Sequence, residues 1–198
     1  MHTQAPSAHG STHVHLSDGD VLVAWFGGQS EGADDVAIWC ARRGSGGGAA
    51  SSWSTPSVVV KQSDEAHWNP VLFWVGAVLH LHFKVGNDID AWRTYRATSL
   101  DEGGTWSTAR ELVPGDTGGR GCVKNKPLTL PPRPPADGDT GRGGDGGENT
   151  GGVVGDGVQD GGFAAVVLCG ASTERGGWRA FVDVSTAGSP AHCPHAPG

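Results

Sequence analysis

Short apolar runs alternate with turn residues along the whole chain, and their spacing predicts strands. Val21-Leu22-Val23-Ala24-Trp25-Phe26 is a buried strand by its content of β-branched and aromatic residues. The preceding Ser17-Asp18-Gly19-Asp20 is a hairpin turn that joins it to His13-Val14-His15-Leu16. A glycine-rich loop from Gly27 to Asp34 follows, and Val36-Ala37-Ile38-Trp39-Cys40-Ala41 returns as a third strand. A second unit repeats the plan over Asn69 to Trp74, Val78 to Val85, Trp92 to Thr98 and Thr108 to Val113. A third begins at Lys126-Pro127-Leu128-Thr129-Leu130 and resumes at Phe163 to Cys169 and Trp178 to Val184.

Between the strands of the second unit lies Ser99-Leu100-Asp101-Glu102-Gly103-Gly104-Thr105-Trp106. Serine and aspartate oxygens can accept backbone N–H groups, glycines take positive φ, and tryptophan anchors the turn. Its tail recurs: Trp53-Ser54-Thr55 precedes Trp106-Ser107-Thr108 by 53 positions, a blade-like period. Two segments break the repeat. Arg42 to Ser52 is a Gly/Ser/Ala insert, and Pro131 to Gly162 is rich in Gly, Pro and Asp. The latter lacks the apolar surface to offset its ordering entropy and is expected to be a disordered insertion.

Composition narrows the function. A net charge of -7 over 198 residues argues against a nucleic-acid-binding face. Eight Trp against one Tyr suit both strand anchoring and stacking on sugar rings. Cys40, Cys122, Cys169 and Cys193 form no C-x-x-C, so neither a zinc site nor a redox motif is indicated. His13-x-His15 and His80-x-His82 pair imidazoles on a strand face without a carboxylate at ligand spacing. No metal and no cofactor is therefore expected. No secretory leader or apolar run of membrane length is legible, which gives a cytoplasmic expectation by default and no membrane partner.

The pattern Ser-x-Asp-x-Gly-x-Thr-Trp resembles the Asp-box (BNR) turn of the sialidase superfamily. Further phrases are similar to sialidase-like BNR-repeat proteins: His9-Gly10-Ser11-Thr12, Trp25-Phe26-Gly27-Gly28, Asp35-Val36-Ala37-Ile38-Trp39, His67-Trp68-Asn69-Pro70-Val71-Leu72, Gly119-Arg120-Gly121, Lys124-Asn125-Lys126-Pro127 and Ser172-Thr173-Glu174. The resemblance implies an all-β fold, a β-propeller that is six-bladed in the family. At ~40 to 50 residues per blade, this length supplies about three blades, an incomplete propeller. The expected division is a disordered N-terminus over 1–8, the partial propeller over 9–184 interrupted at 131–162, and a disordered tail over 185–198.

The same resemblance implies a glycan-active protein, a sialidase-like glycoside hydrolase or lyase acting on an acidic, exo-positioned sugar. Asp35 matches the loop that carries the acid/base, with Glu31 beside it to raise its pKa, and Glu174 is the second carboxylate. Lys84, Arg120, Lys124 and Lys126 form a cationic set for an acidic sugar, Asn69 and Asn125 bond hydroxyls, and His9 and His67 are strand-entry residues of the family phrases. Ser99, Asp101, Gly103, Thr105 and Trp106 are structural, away from substrate. Sialic-acid hydrolysis itself is poorly supported, because the family's arginine triad is missing and Tyr95, the single tyrosine, lies mid-strand. Two alternatives stand beside the enzyme: a non-catalytic glycan-binding propeller, and a truncated fragment that self-associates to complete its ring or does not function.

Overall fold

The computed structural model describes residues 5–45, 52–117, 120–130, 165–174 and 177–186. These form three antiparallel sheets. The first runs β1 (Ser7–His15), β2 (Val21–Gly28), β3 (Ala37–Arg43) and β4 (Ser57–Val60), in spatial order β1-β2-β3-β4. The second is β5 (His67–Val75), β6 (Val78–Val85), β7 (Arg93–Ser99) and β8 (Arg110–Glu111), again in chain order. The third pairs β9 (Leu128–Leu130), β10 (Ala165–Glu174) and β11 (Gly177–Thr186) in the order β11-β10-β9.

Several boundaries differ from the pattern expected. The first strand starts at Ser7, inside the stretch read as disordered, because Ser7 and Ala8 pair with Gly28 and Gly27 and Ala5 is 2% exposed. Ser57–Val60 was not anticipated as a strand, yet it pairs with β3 and completes the first sheet. The stretch from Thr108 to Val113 shortens to Arg110–Glu111, since Glu111 turns its carboxylate back to accept Gly115 N–H at 2.7 Å. The third sheet runs on to Glu174 and to Thr186, beyond the strands and the domain end expected. The insertion over 131–162 and residues 187–198 of the expected tail lie outside the described residues.

The first two sheets pack face to face. Leu22, Ala24, Phe26 and Ile38 of one meet Leu72, Leu79, Leu81, Phe83 and Val85 of the other, all at most 4% exposed. Each large side chain so buried contributes roughly 1.5–3 kcal/mol. The opposite face of β6 is covered as well: His82 and Lys84 are 3% and 0% exposed, beneath Gly121 and Cys122. The second sheet is thus sandwiched, and β6 carries alternating apolar and polar residues that are buried without exception from Leu81 to Val85.

No backbone ladder joins β1 to β5, so side chains stitch them. Thr12 Oγ1 accepts Leu72 N–H at 3.3 Å, Trp74 Nε1 donates to the His15 carbonyl at 3.1 Å, and Lys126 Nζ donates to the carbonyls of His13 and Leu72.

The Asp-box turn closes on itself. Ser99 Oγ donates to Asp101 Oδ1 at 2.7 Å and accepts Gly103 N–H at 2.8 Å, while Thr105 gives Asp101 both its N–H and its hydroxyl. The three donations to its carboxyl, first that of Thr105 N–H, lower the Asp101 pKa to about 2. Gly103 has φ +88, and a Cβ there would lie 2.5 Å from Leu22 Cδ2. The turn is therefore pressed against the first sheet. Ser107 then exchanges two hydrogen bonds with Thr98, and Ser54 exchanges the same two with Arg42 in the first sheet. The 53-residue echo is a repeat of structure, with the acidic half of the turn missing from its first copy.

Candidate functional site

Within each sheet, the turn from the second to the third strand lies at the end where the first strand begins. That end gathers the start of β1, the loop from Gly28 to Ala37, the start of β5, the loop from Val85 to Arg93, the start of β9 and the paired ends of β10 and β11 at Glu174 and Gly177. The Asp-box lies at the other end.

Both β1 and β5 bulge where they enter. Register shifts between His9 and Thr12, and again between Trp68 and Val71. A left-handed residue stands inside each bulge: Gly10 with φ +58 in the first, Asn69 with φ +45 in the second. Such bulges re-aim side chains at strand ends. Lys124, on the approach to β9, is left-handed too, with φ +66.

Between these strands opens a cleft of about 390 Å³, lined by Phe26, Glu31, Trp68, Asn69, Asn87, Ile89, Trp92, Val123 and Lys124. Its apolar part is a row of rings. His9 stacks on Phe26 at 5.6 Å, Phe26 meets Trp68 at 5.5 Å, and Trp68 meets Trp92 at 5.4 Å. Trp68 Nε1 donates to the Gly86 carbonyl at 2.7 Å, which fixes its indole. The Asn87 carbonyl oxygen accepts Ala66 N–H at 2.9 Å, and its amide donates to Asp34 Oδ1 at 3.3 Å. A row of mutually tilted rings flanked by an amide, a carboxylate and an ammonium is suited to a molecule with an apolar face and a hydroxylated edge.

The residues singled out by sequence separate into three groups. Glu31, Asn69 and Lys124 line the cleft, and His9 stands beside it with Nε2 3.9 Å from Glu31 Oε2. His9 and Glu31 are both about half exposed, so this contact contributes little to stability. Asp35 lies on the same loop but is directed into it: Oδ2 accepts Gln29 N–H at 2.9 Å, and its carboxylate lies against Gly28. The backbone of Glu174, opposite Gly177 at the end of β10, falls at the same end of its sheet. Asn125 is exposed, with its N–H donating to the Val123 carbonyl.

The remaining residues are engaged within the framework. His67 is inaccessible, donating from Nδ1 to the Glu65 carbonyl at 2.9 Å and accepting Gln62 N–H on Nε2 at 2.7 Å. Both ring nitrogens are thus occupied, and burial pushes its pKa down to about 4. Lys84 is equally buried and donates to Thr94 Oγ1 at 2.6 Å and to the Arg120 carbonyl. The Arg120 guanidinium binds Asp116, and Lys126 bridges β1 and β5, its pKa lowered by burial. Of the four cations expected to hold an acidic group, Lys124 alone lines the cleft. Tyr95 donates to Glu111 Oε1 at 3.1 Å, at the outer edge of the second sheet rather than at the cleft. Among the described residues no group of three or more His, Cys, Asp and Glu is placed to hold a metal ion.

Phe26, Asn87 and Trp92 were not foreseen as cleft residues. Their signal was positional: each flanks the loop between the second and third strands of its sheet, the segment that recurs at this end.

Comparison with known proteins fits this geometry. Among solved structures, the chain resembles Zg3597, a family 117 glycoside hydrolase of the marine bacterium Zobellia galactanivorans, with TM-score 0.55 and 11% identity over 90% of this chain and 52% of that one. It also resembles the Hadza microbial sialidase Hz136, with TM-score 0.62 and 11% identity over 94% of this chain and 37% of that one. A protein of unknown function from Dyadobacter fermentans aligns with TM-score 0.55 and 10% identity over 90% of this chain and 51% of that one. The chain spans about half of the first and third of these and about a third of the second. At such identities the likeness is one of fold. No curated protein matches the sequence. The family model described as a BNR repeat-like domain matches residues 19–145, more than half of the chain. With its closed Asp-box turn and its echo in the neighbouring sheet, this chain belongs to the BNR repeat-like family.

Proposed function

We propose that the chain is the glycan-binding portion of a sialidase-like propeller, and that the sugar lies in the cleft between β1, β5 and the approach to β9. The observation that carries this reading is the ring row from His9 through Phe26 and Trp68 to Trp92, bordered by Glu31, Asn69 and Lys124. Trp68 and Trp92, the partly exposed rings at the cleft, stack on the C–H face of a pyranose over the buried Phe26, while the polar border bonds its hydroxyls. The names of two similar structures, a glycoside hydrolase and a sialidase, support a carbohydrate ligand. Three sheets of this kind are about three blades of such a propeller.

The substrate class is an acidic sugar at a chain end. Lys124 supplies the ammonium for its carboxylate, since Arg120 is held by Asp116 and Lys84 and Lys126 by backbone carbonyls. In the catalytic form of the reading, Asp35 is the acid/base and Glu174 the second carboxylate, on corresponding loops of the first and third sheets. Cleavage then requires Asp35 to leave the Gln29 N–H and swing toward the cleft. Its present use as a loop acceptor supports the second reading, binding without turnover.

The two readings separate in one pair of measurements on the purified chain. Tryptophan fluorescence titrated with methyl D-glucuronide, methyl D-galacturonide and the matching neutral methyl glycosides is expected to show uronide-selective quenching. Release of 4-methylumbelliferone from its uronides is then followed for the unmodified chain and for Asp35→Asn. Turnover that Asp35→Asn abolishes supports the enzyme; uronide binding without turnover supports the binding module. Quenching by none of the sugars would overturn both.

A further inference from the structure

The two entry bulges are equivalent in place and backbone but not in residue. The left-handed position holds glycine in β1 and asparagine in β5. Glycine adopts that backbone at no steric cost, whereas a residue with a Cβ is disfavoured there. Gly10 shows that this fold is satisfied by glycine. Asn69 keeps a side chain there, asparagine being one of the few residues with a Cβ that adopt this backbone readily.

Asn69 is 8% exposed, and the part of it that solvent reaches includes its carboxamide, which is not one of the buried unbonded polar groups of the described residues. The carboxamide lines the cleft beside Trp68 and Trp92, so the one direction left open to it is the cleft. The neighbouring bulge makes the room: a Cβ on Gly10 would lie 2.7 Å from the Phe26 ring and 3.4 Å from Asn69 Oδ1.

We propose that Asn69 is a specificity-determining residue that reads one ring hydroxyl of the bound sugar, held in place by a bulge whose counterpart, Gly10, keeps the space clear. This rests on the carbohydrate reading of the cleft. A hydroxyl both donates and accepts, as a carboxamide does, so the pair satisfies Oδ1 and Nδ2 together. A sugar that covers the cleft but lacks that hydroxyl shuts the amide off from water without replacing its bonds, which discriminates against it.

The test is calorimetric titration of the chain with methyl D-glucuronide, methyl D-galacturonide, methyl D-glucoside and methyl D-galactoside, each with its 2-, 3- and 4-deoxy forms. One deoxy position is expected to weaken binding by on the order of tenfold in the unmodified chain. In Asn69→Gly the parent sugar weakens by about the same factor, and the parent-to-deoxy ratio falls to about one. Asn69→Asp, which keeps the left-handed preference, is expected to lose the uronides more than the neutral glycosides. Thermal unfolding of both variants shows that they remain folded, and the relief of backbone strain should leave Asn69→Gly at least as stable as its parent. An unchanged parent-to-deoxy ratio in Asn69→Gly would show that asparagine merely fills the bulge, and would overturn the inference while leaving sugar binding intact. If only neutral glycosides bind, the acidic-sugar reading falls and the ratio still decides for Asn69. If none binds, both fall.

Discussion

The two ends of the second sheet use the same backbone device to opposite effect. At the Asp-box end, Glu102 is a left-handed non-glycine residue, and around it Ser99, Asp101 and Thr105 direct their polar atoms at one another. At the entry end, Asn69 and Lys124 are left-handed as well, but their side chains line a cleft. A turn whose polar groups satisfy each other can do no more than hold its shape. A rim whose polar groups are aimed outward at a cost in backbone strain is built to hold something else.

Disturbing each end in turn separates a loss of stability from a loss of binding. Gly103→Ala combines a left-handed backbone with a Cβ 2.5 Å from Leu22, and is expected to destabilise the chain by about 2–4 kcal/mol. Urea unfolding measures this, and a Gly103→Ala chain as stable as its parent would mean that the turn is not pressed on the first sheet. Sugar binding by the folded fraction should be unaffected.

Acidification separates the ends by pH window. His67 is kept neutral by burial with a pKa of about 4, below the ~6.5 of an unfolded histidine, so the unfolded state binds its proton first. Stability should therefore fall as pH drops from about 6.5 to 4, by roughly 3 kcal/mol for this residue. His80 and His82, lowered by burial to about 4 and about 3, act in the same direction. Asp101 acts later: its carboxyl is depressed to about 2, so its contribution is present above the unfolded value of 3.8 and is lost as pH falls through 2. Unfolding midpoints followed from pH 7 to pH 2 should show the first loss diminished in His67→Gln and the second in Asp101→Asn. A single loss, unchanged in both variants, would contradict the assignment.

At the cleft the expected effects are on binding. Lys124→Gln should weaken methyl uronides by about tenfold, leave the neutral glycosides as they were, and flatten the salt dependence of uronide affinity. An equal loss for both classes would mean that Lys124 contributes no charge recognition. The smallest effect is reserved for the His9–Glu31 contact. Because both groups are about half exposed, Glu31→Gln should change stability by less than about 0.5 kcal/mol by thermal unfolding. A larger change would place Glu31 in the framework rather than on the rim.

What the chain determined by itself are the features whose partners are close in sequence. The Asp-box is legible because its bonds run between residues two to four positions apart, so eight letters contain the whole structure. The hairpin at Ser17–Asp20 and the strand from Val21 follow from local turn chemistry and apolar runs, and the 53-residue echo from simple recurrence. Only the tertiary structure decided the site. The ring row joins His9 to Trp92 across 83 positions of chain, and no local rule relates them. Four cations looked alike in sequence, yet burial turned Lys84 into a donor to the Arg120 carbonyl, Lys126 bridges the carbonyls of His13 and Leu72, and Asp116 took Arg120. The same process drew His67 inward while leaving Asn69, two residues on, lining the cleft, because the bulge reverses the side on which a residue emerges.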